Sequence, residues 1–318
     1  MKALTFSEFG TSDVLQYIKI KDPILKENEV LVEMKAIGLN FADVYRRKGD
    51  YHLVGTPPFI AGYEGAGVVI NSNNTSFNVG DRIAFADVPL ANAQLVAVNI
   101  ENAIPLPDAI SFETAATILL QGLTAHYLAT DSHKTQQGDT ILIHAAAGGV
   151  GQFLTKISKL LGATVIGLTS SNDKVKAALL NGADKVFLYS NDWKNQVLNF
   201  VPNGVDVTYD SVGNTLSDSF EVTKNRGQVV FFGMAGGDPD FINPRMLMDS
   251  SKTLTGGDLW NYLVSKEERL KRANQLFDWI ISGEITIPEP TIFKLSKGKK
   301  AHDFLESRES TGKIILIP

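Results

Sequence analysis

The stretch from 139 to 174 limits the fold of this chain more than any other, because it spells a complete strand, tight turn, helix and second strand. Thr140 to His144 is a short, apolar, β-branched run of the kind buried in a parallel sheet. Ala146, Gly148 and Gly151 then take the positions of a G-x-G-x-x-G fingerprint, with alanine in place of its first glycine. Gly148 lets backbone approach a diphosphate, and Gly151 allows close packing of helix on strand. Val150 to Leu161 follows as an amphipathic helix whose N-terminal N–H groups and dipole would face phosphates, and Thr164 to Leu168 returns as a second strand. The bland alternative is a tight strand-to-helix turn that binds no dinucleotide. The context of strand, helix and second strand within about 30 residues favours the dinucleotide.

The residues after the second strand select the cofactor. A site selective for NAD places an acidic residue there to bind the ribose hydroxyls. Here Thr169 is followed by Ser170, Ser171, Asn172 and Lys174. Two hydroxyls, an amide and an ammonium suit a 2′-phosphate, so NADPH is the expected cofactor.

With 318 residues the chain is long enough for two domains, and 44% hydrophobic and 20% charged residues are ordinary globular values. A net charge of −5 gives no general affinity for nucleic acid or an anionic membrane. No cationic apolar leader opens the sequence and no apolar stretch reaches membrane-spanning length, so the cytoplasm is the expected compartment. Cysteine is absent, which excludes disulfides, thiolate nucleophiles and sulfur-ligated zinc. His52, His126, His133, His144 and His302 show neither H-x-x-x-H nor H-E-x-x-H spacing, so no metal site is expected from them.

Residues 1–98 are rich in short strand-like runs separated by Gly, Pro and Asn, which predicts a compact β unit shaped as a partly opened barrel. Residues 40–58 read as a long functional loop between two of its strands. Ser111 is the expected N-cap of a helix that crosses into the nucleotide domain. Strand and helix signals then alternate through 185–190, 205–213 and 227–237, which predicts a doubly wound parallel sheet. Ligands bind beyond the carboxyl ends of such strands, and this singles out Tyr189, Asp210 to Gly213 and Phe232 to Ala235. A last strand is expected at 253–255, a largely helical stretch at 259–283, and a closing apolar strand at 313–318 that pairs back onto the first domain. The expected division is thus 1–118 with 257–318 as the β-rich catalytic domain, and 119–256 as the dinucleotide-binding domain.

Seven motifs carry a family likeness over essentially the whole length. They are IGLNFADVYRRKGDY (37–51), GYEGAGVV (62–69), VGDR (79–82), LQGLTAHYL (120–128), HAAAGGVG (144–151), YDSVG (209–213) and LESR (305–308). On these the chain resembles the zinc-free, zeta-crystallin-like NADPH:quinone oxidoreductases of the medium-chain dehydrogenase/reductase superfamily. The resemblance implies a doubly wound Rossmann domain and a chaperonin-10-like β domain built from both chain ends. It also implies a homodimer joined by the edges of the nucleotide sheets. Where the zinc alcohol dehydrogenases of that superfamily carry two catalytic zinc ligands, this chain has Asn40 and Tyr63, and the four-cysteine zinc loop is missing. Without a Lewis acid, alcohol oxidation is disfavoured, whereas a quinone accepts hydride into a delocalised anion.

Carried over position by position, the resemblance makes Asn40, Tyr45 and Tyr51 the catalytic candidates, at the mouth of a cleft near nicotinamide and substrate. It places Thr124 and Tyr127 beneath the cofactor, and Gly148, Gly149, Val150 and Gly151 on the diphosphate. Ser170, Ser171, Lys174, Tyr189 and Arg308 would surround the 2′-phosphate. Ser211, Phe232, Gly233, Met234, Ala235, Gly257, Asp258 and Leu259 would line the nicotinamide side. Lys174 and Arg308 read equally as solvated surface residues, and Tyr45 and Tyr51 as packing aromatics. Asp43 and Glu64 are expected to bond loop backbone. An enone, alkenal or enoyl-thioester reductase uses the same fold with Tyr45 or Tyr51 as proton donor. A crystallin-like or RNA-binding protein is the alternative of another class, and the acidic balance opposes RNA.

Overall fold

The computed structural model describes residues 1–190 and 192–318. It divides into two compact units, one built from 1–123 with 263–318 and the other from 124–262. Both divisions fall a few residues beyond the expected 118 and 256. At the first, the helix Phe112–Tyr127 runs on without a break, so the sequence gives no local signal of the change.

The first unit is organised around the long strand Glu29–Leu39, whose alternating half points Val30, Val32 and Met34 into the core. Along one edge it pairs first with Leu95–Asn99 and then with Ile314–Ile317, while Glu64–Ser72 runs antiparallel along the other. The closing strand of the chain is therefore an internal strand of the first sheet, as the sequence predicts, with Ile314 opposite Leu39 and Leu316 opposite Ile37. Phe6, Ile37, Leu39, Ile83, Phe85, Leu295 and Leu316 belong to one buried cluster drawn from both chain ends.

Residues 40–58 are not wholly a loop. Their first half is the helix Phe41–Lys48, opened by Asn40, whose N–H donates to Asp43 Oδ2 at 2.9 Å, and closed by Gly49 in the left-handed region. The loop reading gave weight to the interleaved aromatic and charged residues. The helix forms because Val44, Arg46 and Arg47 share a buried face, so two of its cations lie inside.

The second unit holds one fully parallel sheet, with strand order Lys185–Leu188, Thr164–Thr169, Thr140–Ile143, Val205–Asp210, Thr223–Phe231, Thr253–Gly256. Numbered along the chain this is 3-2-1-4-5-6, the doubly wound order, and its switch point lies between Thr140–Ile143 and Val205–Asp210. Helices Gly149–Leu160, Asn172–Leu180, Trp193–Phe200 and Leu216–Val222 follow successive strands. Leu142, Ile166, Leu168, Trp193, Val197, Val205 and Val222 form a buried cluster under them. Ser111 caps Phe112–Tyr127 as expected, its Oγ accepting the Thr114 N–H at 3.0 Å. That helix ends in a π turn at Leu128–Ser132.

Inside the first unit, Arg47 binds the helix Phe41–Lys48 to the helix Gly298–Glu306. Its guanidinium donates to His302 Nδ1 at 3.2 Å and to Glu306 Oε2 at 2.6 Å. His302 is fully buried, and burial first, then the Arg47 charge, lowers its pKa to about 3. An unfolded histidine titrates near 6.5, so between about pH 6.5 and 3 the unfolded chain alone takes up this proton. The contribution is complete above pH 6.5 and is lost as pH falls, by about 1.4 kcal/mol per pH unit. Asp43 acts in the opposite sense. Burial raises its pKa to about 6, so below that pH its folded form gains a proton first. Urea unfolding of wild type and His302→Gln between pH 7 and 4.5 separates the two. We expect the variant to lose stability with acid more gently, by one proton's slope. Identical slopes would show that His302 is not held neutral.

Candidate active site

In the first unit the chemistry gathers at a buried carboxylate. Glu64 opens the strand Glu64–Ser72 and is inaccessible to solvent. Its Oε1 accepts the Leu120 N–H at 2.7 Å, and its Oε2 accepts from Asn40 Nδ2 at 2.8 Å and from the Lys313 ammonium at 2.5 Å. The same ammonium donates to Asn40 Oδ1 at 2.7 Å, and Gln121 Nε2 approaches that oxygen at 3.4 Å. Gly38 makes the room, since a Cβ there would lie 2.1 Å from Glu64 Oε2.

These contacts fix the amide of Asn40. An ammonium can only donate and a carboxylate can only accept, so Oδ1 must face Lys313 and Nδ2 must face Glu64. One Nδ2 hydrogen is left to donate elsewhere. Asp43 bonds the backbone N–H of Asn40 at the start of its helix, as expected, whereas Glu64 bonds the N–H of Leu120 inside the helix Phe112–Tyr127 rather than loop backbone, and it is also the anion of a buried pair. Lys313 was not singled out in the sequence, although its charge at the head of the apolar run IILIP was the available signal.

Tyr51 and Tyr63 flank another buried cation. The Arg46 guanidinium lies 3.5 Å from the Tyr63 ring centroid and 4.9 Å from that of Tyr51, and its Nε donates to His52 O at 3.1 Å. Burial raises the Tyr63 hydroxyl above its ordinary pKa. Tyr45 is half-buried, its ring 6.2 Å from that of Phe41. Arg308 is exposed, with a φ of 62°, and belongs to this unit.

In the second unit, each group of cofactor candidates directly follows a parallel strand or opens the next helix, except Thr124 and Tyr127, which lie in the last turn of the helix Phe112–Tyr127. Gly148 is the N-cap of Gly149–Leu160, which presents the N–H groups of Gly149, Val150 and Gly151 at the helix start. A Cβ on Gly151 would lie 2.5 Å from Ala145 O, so helix and turn need glycine here. Ser170 is exposed at the end of Thr164–Thr169, and Ser171 caps the next helix by accepting the Lys174 N–H at 3.4 Å. Ser211 follows Val205–Asp210 and accepts the Ala235 N–H at 3.1 Å, while Phe232, Gly233 and Met234 follow Thr223–Phe231. Gly257 donates to Phe231 O at 2.8 Å, Asp258 caps the short turn Leu259–Asn261, and Leu259 is buried. Thr124 and Tyr127 are buried, and Tyr127 stacks on Tyr262 at 4.2 Å. Tyr189 turns its hydroxyl to His144 and Ala145. Ser170, Ser171, Lys174 and Tyr189 thus lie in one unit and Arg308 in the other.

The residues fit a dinucleotide and do not fit a zinc ion. The helix start supplies backbone donors where a diphosphate needs them, and no carboxylate follows the second strand until Asp173. For zinc the chain has no cysteine, and among the described residues no group of three or more His, Cys, Asp or Glu is placed to hold a metal.

A GroES-like β unit that accompanies a doubly wound nucleotide unit defines a dehydrogenase of the alcohol dehydrogenase class. The family models agree: residues 26–140 match the alcohol dehydrogenase GroES-like domain and residues 149–279 the zinc-binding dehydrogenase model. The chain is 38% identical to the quinone oxidoreductase of Pseudomonas aeruginosa, over 100% of this chain and 99% of that protein. The crystal structure of Escherichia coli quinone oxidoreductase complexed with NADPH superimposes with a TM-score of 0.95, at 35% identity and over 100% of both chains. A 2-haloacrylate reductase from Burkholderia is 33% identical over 96% of this chain and 95% of that protein. The chain belongs to the quinone oxidoreductase family.

Removing one partner of the buried pair strands the other charge, which costs about 3–5 kcal/mol. We expect Lys313→Met to lose stability on that scale in urea unfolding at pH 7. Lys313→Met with Glu64→Gln should recover a large part, because no unpaired charge then remains. Equal losses in the single and double variants would contradict the pairing.

Proposed function

We propose that this protein is an NADPH-dependent reductase that transfers hydride to a quinone or similar electron-poor acceptor without a metal. The observation that carries the reading is the full-length match to quinone oxidoreductases, one of them solved with NADPH, in a chain whose second nucleotide strand ends without a carboxylate. Gly149, Val150 and Gly151 would receive the diphosphate on their N–H groups, and Ser170, Ser171 and Lys174 the 2′-phosphate. Bound NADPH supplies the hydride.

The protein then acts by holding reactants. Asn40, with its oxygen turned to Lys313 and Gln121 and one amide hydrogen to Glu64, offers a single further N–H, and Tyr45 and Tyr51 offer hydroxyls as orienting donors. Positioning of this kind supplies several kcal/mol of barrier reduction, and a hydroquinone anion needs no protein acid because water can protonate it. The buried Lys313 ammonium is the cation beside Asn40 and Glu64, which supports the zinc-free reading.

The 2-haloacrylate reductase relative favours a second acceptor class, an enone or other activated alkene, for which a tyrosine would protonate carbon. We also infer a homodimer through the edge strand Thr253–Gly256, which leaves one side unpaired within its sheet. Phe241 and Met248 are exposed in the same unit, at 105% and 69%. Among the described residues no helix is long and apolar enough to cross a membrane, and the cytoplasm is the proposed compartment.

Steady-state oxidation of NADPH and NADH with a soluble quinone tests the reading. Wild type should turn over with NADPH at the lower KM. Lys174→Ala should raise the KM for NADPH by about 10- to 100-fold, as loss of a charge-assisted phosphate contact does, and leave NADH nearly unchanged. Equal use of both dinucleotides by wild type would contradict the cofactor assignment, and no quinone-dependent oxidation would contradict the activity.

A further inference from the structure

Tyr51 lies in the irregular segment of the first unit that follows the helix Phe41–Lys48 and its cap Gly49. No helix or sheet ladder fixes such a segment, so placing the phenol falls to side-chain contacts. Arg46 supplies them from the inward face of that helix, where it is 2% exposed. Its guanidinium carbon lies 4.9 Å from the centroid of the Tyr51 ring, and its Nε donates to the carbonyl of the next residue, His52, at 3.1 Å. The rings of Tyr51 and His52 lie 3.9 Å apart. One planar group thus holds both the ring and the backbone that carries it.

Two further contacts fix the guanidinium itself. The buried ring of Tyr63 lies against it, with 3.5 Å between guanidinium carbon and ring centroid, and Asp43 Oδ1 lies 3.6 Å from its Nη1. Asp43 is also the carboxylate whose other oxygen accepts the Asn40 N–H. Arg46 therefore reaches Asn40 through Asp43 and Tyr51 through its own stack. The link is stiff, because a planar guanidinium packed on rings and bonded at Nε has one orientation, which the flexible ammonium of a lysine would not reproduce. The charge has a second effect. When a phenol donates its hydrogen to an oxygen that is gaining negative charge, electron density builds on the phenol, and a cation at its ring face stabilises that density.

We propose that Arg46 is a positioning residue for the reductase reaction that acts through Tyr51: it sets the phenol in a fixed relation to Asn40 and strengthens its hydroxyl as a donor to the acceptor oxygen that takes up charge. The proposal rests on the reductase reading, and its substrate is the electron-poor carbonyl acceptor of that reading. Arg46 does not itself bind the acceptor, since its guanidinium is enclosed by Tyr63, Tyr51, Asp43 and the His52 carbonyl. Its contribution is therefore conditional on the Tyr51 hydroxyl.

Two measurements test it. The first is a double-mutant cycle on kcat and KM for a soluble quinone at saturating NADPH, with wild type, Arg46→Lys, Tyr51→Phe and the double variant. Arg46→Lys keeps a cation beside Asp43, and so the fold, while it loses the planar stack. We expect it to lower kcat by about three- to tenfold, as the loss of one hydrogen bond does, and to have no further effect once Tyr51 is phenylalanine. The loss should fall on kcat and leave KM for the quinone nearly unchanged, because the donor gains strength only as the acceptor gains charge. Equal losses in the two backgrounds, a loss carried by KM alone, or no loss would overturn the proposal. The second measurement needs no ligand: amide hydrogen exchange of residues 49–54 should be faster in Arg46→Lys than in wild type, and equal exchange would overturn the placing of Tyr51 by Arg46. If wild type oxidised no NADPH with a quinone, the reductase reading and the role of Arg46 in the reaction would both fail, while the exchange rates would still decide whether Arg46 places the segment.

Discussion

The buried carboxylate of Glu64 is the constraint on which the first unit turns. A charge with no access to solvent is tolerable only when paired and hydrogen-bonded, and Glu64 draws its partners from three distant segments. Asn40 comes from the end of the long central strand, the Leu120 amide from the crossing helix, and Lys313 from the end of the chain. Gly38 is small because the carboxylate needs the space a Cβ would fill. The need for Lys313 gives the discontinuous β unit a chemical reason besides its hydrophobic one, since the strand Ile314–Ile317 carries the ammonium to its partners.

The nucleotide unit meets a similar demand with neutral groups. Asp210 is satisfied by two backbone N–H groups and two hydroxyls, and polar contacts run on from Ser219 through His144 and Tyr189 to Ala145 of the phosphate turn. In both units a buried anion settles the orientation of an uncharged side chain. Asn40 is turned with Oδ1 to Lys313 and Nδ2 to Glu64, and the Tyr189 hydroxyl is held between His144 Nδ1 and the Ala145 N–H. Such groups are arranged before any ligand arrives, which is the condition for catalysis by positioning.

Much of this was legible in the sequence, and the rest was not for physical reasons. The strand, turn and helix at 139–161 announced themselves because period and small-residue spacing are local properties. The closing strand IILI was readable as an apolar run, and its pairing followed from having no other place to be buried. The helix Phe41–Lys48 was hidden because its inward face carries Arg46 and Arg47, which hydrophobic periodicity counts as solvent-facing. The pairing of Glu64 with Lys313 is separated by most of the chain, so no local pattern contains it. His144 reads in the sequence as the last residue of an apolar strand run, and its contacts with Ser219 and Tyr189 appear only in the folded unit.

The central claim is that fixed protein groups and a dinucleotide suffice for hydride transfer, with an ammonium and no metal beside Asn40. Single-turnover oxidation of NADPH by a quinone, measured with the zinc content of the same protein before and after exhaustive chelation, tests it most directly. We expect no stoichiometric zinc and an unchanged rate after chelation. Loss of the rate on chelation and its return with added zinc would contradict the claim.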